Sequence, residues 1–108
     1  MPLPRKSHRS QIFFKKSVLL NPEDFFDNYS YRLQKLNYHL INRYSKKIQG
    51  AIAFSISATN REDVSDYKAY VYIPYRQVIV EYFGSENGSN ELWDTLLSID
   101  FIPENQKG

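Results

Sequence analysis

The 108-residue sequence predicts an α+β fold: one long helix on a small, mainly antiparallel sheet, then a short C-terminal helix. Three observations carry that expectation. Residues 67–83, YKAYVYIPYRQVIVEYF, read as two strands folded back on each other at a proline. Tyr29, Leu33, Leu36, Leu40 and Tyr44 recur at spacings of four, three, four and four, along one helical face. Leu92, Leu96 and Ile99 repeat the pattern over a shorter stretch, with Trp93 and Leu97 beside them.

Taken in order, QIFFKKSVLL (11–20) alternates as a strand and stops at Asn21-Pro22. Asn suits a helix cap and Pro the first helical position, so Pro22 to Phe26 forms a short helical turn anchored by Phe25 and Phe26. The long helix then spans about Asn28 to Lys47. Opposite its apolar face, Arg32, Lys35, His39, Arg43 and Lys46 make a basic stripe, either a solvated surface or a phosphate-binding one. Gly50 marks the change from helix to strand, and Gln49 to Ser57 is a second strand with Ile52, Phe54 and Ile56 on one side. Ala58 to Asp66 is polar and turn-like. In the hairpin, Tyr67, Ala69, Val71 and Ile73 share one face, and Lys68, Tyr70 and Tyr72 the other. Pro74-Tyr75-Arg76 makes the turn, and Gln77 to Phe83 returns. The order is strand, helix, strand, strand, strand, short helix.

Length and composition restrict function. One domain of this size buries roughly 60–70% of its unfolded surface, and 24% charged residues with 42% hydrophobic fit a globular chain. No apolar run approaches the roughly 18–20 residues of a membrane span, so no membrane partner is expected. The absence of cysteine excludes disulfides and thiol chemistry, and a reducing compartment is the default. Residues 1–54 hold ten Lys/Arg against three acids (10 − 3 = +7), and residues 55–108 hold four against nine (4 − 9 = −5). Such a division marks either a surface for a charged partner or two halves that attract each other.

Residues with catalytic spacing are missing. His8 and His39 lie in different elements with no acidic cluster around either, no serine sits in a nucleophile turn, and the glycines form no phosphate cradle. A non-enzyme without cofactor or metal is expected. Aromatic residues beside cations remain. Tyr70, Tyr72, Pro74, Tyr75 and Arg76, with Trp93, are candidate anchors for a partner protein. The alternative is a small nucleic-acid-binding module using the hairpin tyrosines and the stripe Arg32, Lys35, His39, Arg43 and Lys46. A third reading, an inhibitor or immunity-type protein that binds one enzyme, fits the charge division alone.

Several of these stretches together resemble the N-terminal domain of the larger stalk subunit of archaeal and eukaryotic DNA-directed RNA polymerases. That family has a Pro-x-x-Phe segment after its opening strand, as in Pro22-Glu23-Asp24-Phe25. A helix follows, then a lysine- and glycine-bearing entry into an apolar strand, similar to KKIQGAIAFSI (46–56). Its hairpin, Ala-x-Val-Phe-x-Pro-Phe, a short turn and Glu-Val-Val, is similar to AYVYIPYRQVIVE (69–81), with Tyr72 and Tyr75 where Phe is usual. The glycine just before the apolar strand is more like the RNA polymerase I version.

The resemblance covers about residues 11–83. It implies a non-catalytic hetero-oligomeric subunit in transcription, in the nucleus (the nucleolus for RNA polymerase I), with cytoplasm the location otherwise. It further implies docking on large core subunits and on a smaller stalk partner, with nucleic acid an indirect partner. Family members continue into an oligonucleotide-binding barrel. Only the 25 residues 84–108 follow the hairpin here, and five strands of about 5 residues would consume them before any turn. The expected organisation is a basic flexible N-terminus (1–10), a stalk-like domain (11–84), and a loop, short helix and tail (85–108).

Overall fold

The computed structural model describes residues 11–98 except 64 and 87. The expected flexible N-terminus, Ile99 and the C-terminal tail lie outside the described residues. The order is β1 (Gln11–Lys16), α1 (Pro22–Lys35), β2 (Tyr38–Ile48), β3 (Ala51–Asn60), β4 (Tyr67–Ile73), a 3-10 turn (Pro74–Arg76), β5 (Val78–Gly84) and α2 (Ser89–Ser98). The fold is α+β, with a five-stranded antiparallel sheet in the order β1-β5-β4-β3-β2.

The sheet is larger than expected and the helix shorter. The expected short turn at Pro22 and the first part of the expected long helix are one 14-residue helix. Asn21 caps it, its side-chain carbonyl accepting from the Glu23 N–H at 2.8 Å, and Pro22 occupies the first helical position. Glu23 and Asp24 lie in the first turn and Arg32 and Lys35 in the last, as the helix dipole favours. The helix stops at Asn37, in the left-handed region at φ +71, whose N–H donates to the Gln34 carbonyl at 3.0 Å. Asparagine tolerates that conformation better than other side chains, and it ends a helix much as glycine does.

Residues 38–48, expected as the second half of the helix, are an edge strand instead. They pair with β3 through a two-residue turn, Gln49 (φ +51) and Gly50 (φ +86), which closes Ile48 on Ala51. Two positive-φ residues between paired strands twist the chain as a tight hairpin needs. Gly50 therefore joins strand to strand, not helix to strand. A bulge between His39 and Asn42 reverses which alternate residues face which side of the sheet.

Each face of the sheet has its own core. Ile56, Ala58, Tyr70, Tyr72 and Ile79 lie under Phe25 and Leu33 of α1. Ala53, Ala69, Val71, Ile73, Val80 and Tyr82 lie under Leu92, Trp93 and Leu96 of α2. The period-2 faces expected for the β4–β5 hairpin are those observed, and α2 turns Leu92, Trp93 and Leu96 inward while Leu97 is half exposed. β1 stops at Lys16, short of the expected Leu20. There the Ser17 N–H donates to the Gln77 carbonyl at 2.8 Å and the chain turns towards α1.

Candidate docking surface

The sheet is wider than one helix. Four interstrand spacings of about 4.8 Å make it roughly 19 Å across, and a helix with its side chains covers about 10–12 Å. α1 packs on β2 and β3 and reaches β4 through its rings: Phe25 meets Tyr72 at 5.4 Å and Tyr29 meets Tyr70 at 4.5 Å between centroids. The strip over β5 and β1 is left as an open groove of about 730 Å³ beside the helix.

Three cations face the groove, Lys15 from β1 and Arg32 and Lys35 in the last turn of α1, and Lys16, opposite Val78 in the register, stands at its rim. Its apolar wall is Leu20, Leu36 and Ile79, with Tyr29 and Tyr31 from the helix. Arg32 lies 4.7 Å over the Tyr29 ring and Lys35 lies 5.4 Å over the Tyr31 ring, so each ring offers a face to a cation of its own helix. The Tyr72 hydroxyl accepts from the Leu20 N–H at 2.6 Å and donates to the Leu20 carbonyl at 3.2 Å. That pair of bonds fixes the connection between β1 and α1, and with it one wall of the groove.

Charges gather on the adjoining strip. Lys15 pairs with Glu81 at 3.1 Å, linking the basic and acidic halves of the sequence. Burial lowers the pKa of the Lys68 ammonium, with Glu81 and Asp66 opposing and Arg32 and Lys15 adding to the shift. Its nitrogen sits 4.2 Å from the Phe83 centroid. Burial, then the Glu81 charge, pushes the Tyr70 phenol up to about 12, while Arg32 pulls it down. Burial and a 3.0 Å hydrogen bond donated to Asp66 push Tyr38 up to about 12 as well.

The expected basic stripe does not form. Arg32 and Lys35 remain together on α1, but His39, Arg43 and Lys46 belong to β2. Arg43 lies 5.7 Å over Phe26 on the α1 side, whereas Lys46 lies 4.6 Å over Trp93 on the α2 side. Alternation along a strand separates residues that a helix would have aligned. His39 has a buried Nδ1 without a hydrogen-bond partner among the described residues. Lys15 and Lys16 take their place beside Arg32 and Lys35. These two were missed because 52 residues of sheet pairing separate the Leu20–Tyr72 contact that folds β1 back beside the helix.

Of the expected partner anchors, Tyr70 and Tyr72 are fully buried under α1, and Trp93 is buried on the opposite face. The cover over the two tyrosines is α1, through Phe25 and Leu33. These three side chains build the core and offer no platform at the surface. The turn itself is at the surface: Tyr75 is 47% exposed, Arg76 exposed and Pro74 half-buried. The Ser17–Gln77 bond brings the neighbouring segment to that same end, where Val18 is 72% and Leu19 66% exposed. No helix among the described residues is long and apolar enough to cross a membrane. No protein-family model, curated protein or solved structure matched the chain.

Proposed function

We propose that this chain is a non-catalytic subunit of a DNA-directed RNA polymerase that docks the stalk on the polymerase core. The observation that carries the docking part is the pairing of exposed Val18 and Leu19 with the exposed Tyr75 turn at one end of the sheet. Apolar side chains held out by a fixed backbone suit a protein interface better than solvent. The polymerase part rests on the resemblance. Its Pro-x-x-Phe segment falls at the start of α1, its Lys-Gly stretch spans the β2–β3 turn, and its hairpin is β4 and β5. Strand β2, between helix and apolar strand, is a departure from the family's order. Large core subunits and a smaller stalk protein are the proposed partners, in a nuclear hetero-oligomer.

Purification of the tagged chain from its own cells should recover large polymerase subunits. Tyr75→Ala should lose them with an unchanged melting temperature, because truncating an anchor at an interface costs about 2 kcal/mol of binding or more. Recovery of the chain alone, with polymerase isolated free of it, rejects the reading.

A further inference from the structure

We infer that the groove between β1 and α1 binds an acidic segment of a partner protein that also carries apolar side chains. Lys15, Arg32 and Lys35 face the groove, and among the described residues no carboxylate lines it. Glu81, on the adjoining strip, is already engaged by Lys15 at 3.1 Å. The wall between the cations is Leu20, Leu36 and Ile79, which requires apolar side chains on whatever lies there. An occupant with carboxylates outside and apolar groups inside meets both demands.

The rings of the groove argue for peptide over nucleic acid. Base stacking needs open aromatic faces. Tyr29 has Arg32 against one face and packs on Tyr70 and Phe25, which leaves Tyr31, exposed beside Lys35, as a single open ring. The groove therefore presents cations and aliphatic surface rather than a row of free rings. Its shape follows from the fold: α1 stands over β2 to β4, and the space beside it over β5 and β1 stays open above the buried Ile79.

The inference rests on the docking reading and adds the chemistry of one partner segment. The test uses the full chain and a fluorescein-labelled peptide with a central Leu-Phe pair flanked by Asp and Glu. Expected are saturable binding that weakens with salt, and loss of about tenfold in affinity for Arg32→Glu combined with Lys35→Glu. Lys47→Glu, an exposed charge on β2 away from the groove, should change affinity less than about twofold. Circular dichroism melts of each variant separate lost binding from lost folding. Equal binding of the Asn/Gln version of the peptide, or equal loss with Lys47→Glu, overturns the proposal. So does an oligonucleotide of matched charge that displaces the peptide. Peptide binding without polymerase recovery leaves the groove assignment standing and removes the polymerase. Polymerase recovery without peptide binding does the reverse.

Discussion

The two faces of the sheet are built from different materials. The α1 face is aromatic: Phe54, Tyr70 and Tyr72 of the sheet meet Phe25, Phe26 and Tyr29 of the helix. The α2 face is mainly aliphatic, with Ile48, Ala53, Ala69, Val71, Ile73 and Val80 beside the rings of Tyr82 and Trp93. Large rings on sheet and helix together bring polar tips into the interior, and those tips need partners. Tyr72 reaches Leu20 and Tyr38 reaches Asp66. The α1 face thus carries charge and an open groove along its margin, while the α2 face carries buried hydroxyls, Ser55 and Thr59, without hydrogen-bond partners among the described residues. One face serves stability and the other also organises a surface.

The largest effects should come from emptying each core in turn. Phe25→Ala removes the ring around which the α1 face is built and should cost about 3–5 kcal/mol, and Leu96→Ala on the other face about 2–5 kcal/mol. Chemical denaturation measures both. A Leu96→Ala protein as stable as the parent would mean that α2 does not belong to the core, and the symmetry of two packed faces would fail.

A smaller effect, confined to the α1 face, is alkaline sensitivity. The folded pKa of Tyr38 and of Tyr70 is raised from 10.0 to about 12. The native state therefore holds protons that the unfolded chain releases, so the stabilisation is full below the unfolded value and is lost as pH rises towards 12. Melting temperature should fall between about pH 10 and 12, with part of the tyrosinate absorbance appearing only on unfolding. Tyr38→Phe should weaken that dependence. Tyrosinate absorbance in the folded protein that reaches half its full value at pH 10 for every tyrosine would contradict it.

The smallest change belongs to the α2 face. Ser55→Ala removes a buried hydroxyl with no hydrogen-bond partner among the described residues, so stability should stay within about 0.5 kcal/mol or rise. A loss of about 1 kcal/mol or more would reveal a hydrogen bond that the α2 face is here said to lack.

The β4–β5 hairpin was legible because alternation over both strands has a single structural solution, and a proline marks the turn. Asn21-Pro22 was legible as a helix start for the same local reason. The fate of residues 36–48 was not. A spacing of four is close to the helical repeat of 3.6 and is also a multiple of the strand repeat of 2. Tyr44 and Ile48, four apart, pack on the α2 face from β2 as readily as they would have shared a helix face. Asn37 and the Gln49-Gly50 turn carried the contrary signal. The groove was hidden more deeply, since Lys15 and Arg32 lie in elements whose approach depends on the whole sheet.

What the sequence determined alone was local: the α+β class, the two-sided hairpin, the cap at Asn21, the inward turn of Leu92, Trp93 and Leu96. Such features depend on neighbours within a turn or a strand pair, whose geometry any sequence window contains. Tertiary structure decided whether 38–48 became helix or strand, which helix covered Tyr70 and Tyr72, and which cations met across a groove. Those outcomes follow from competition for one sheet edge and from a helix too narrow for five strands, and neither exists until the distant strands have paired.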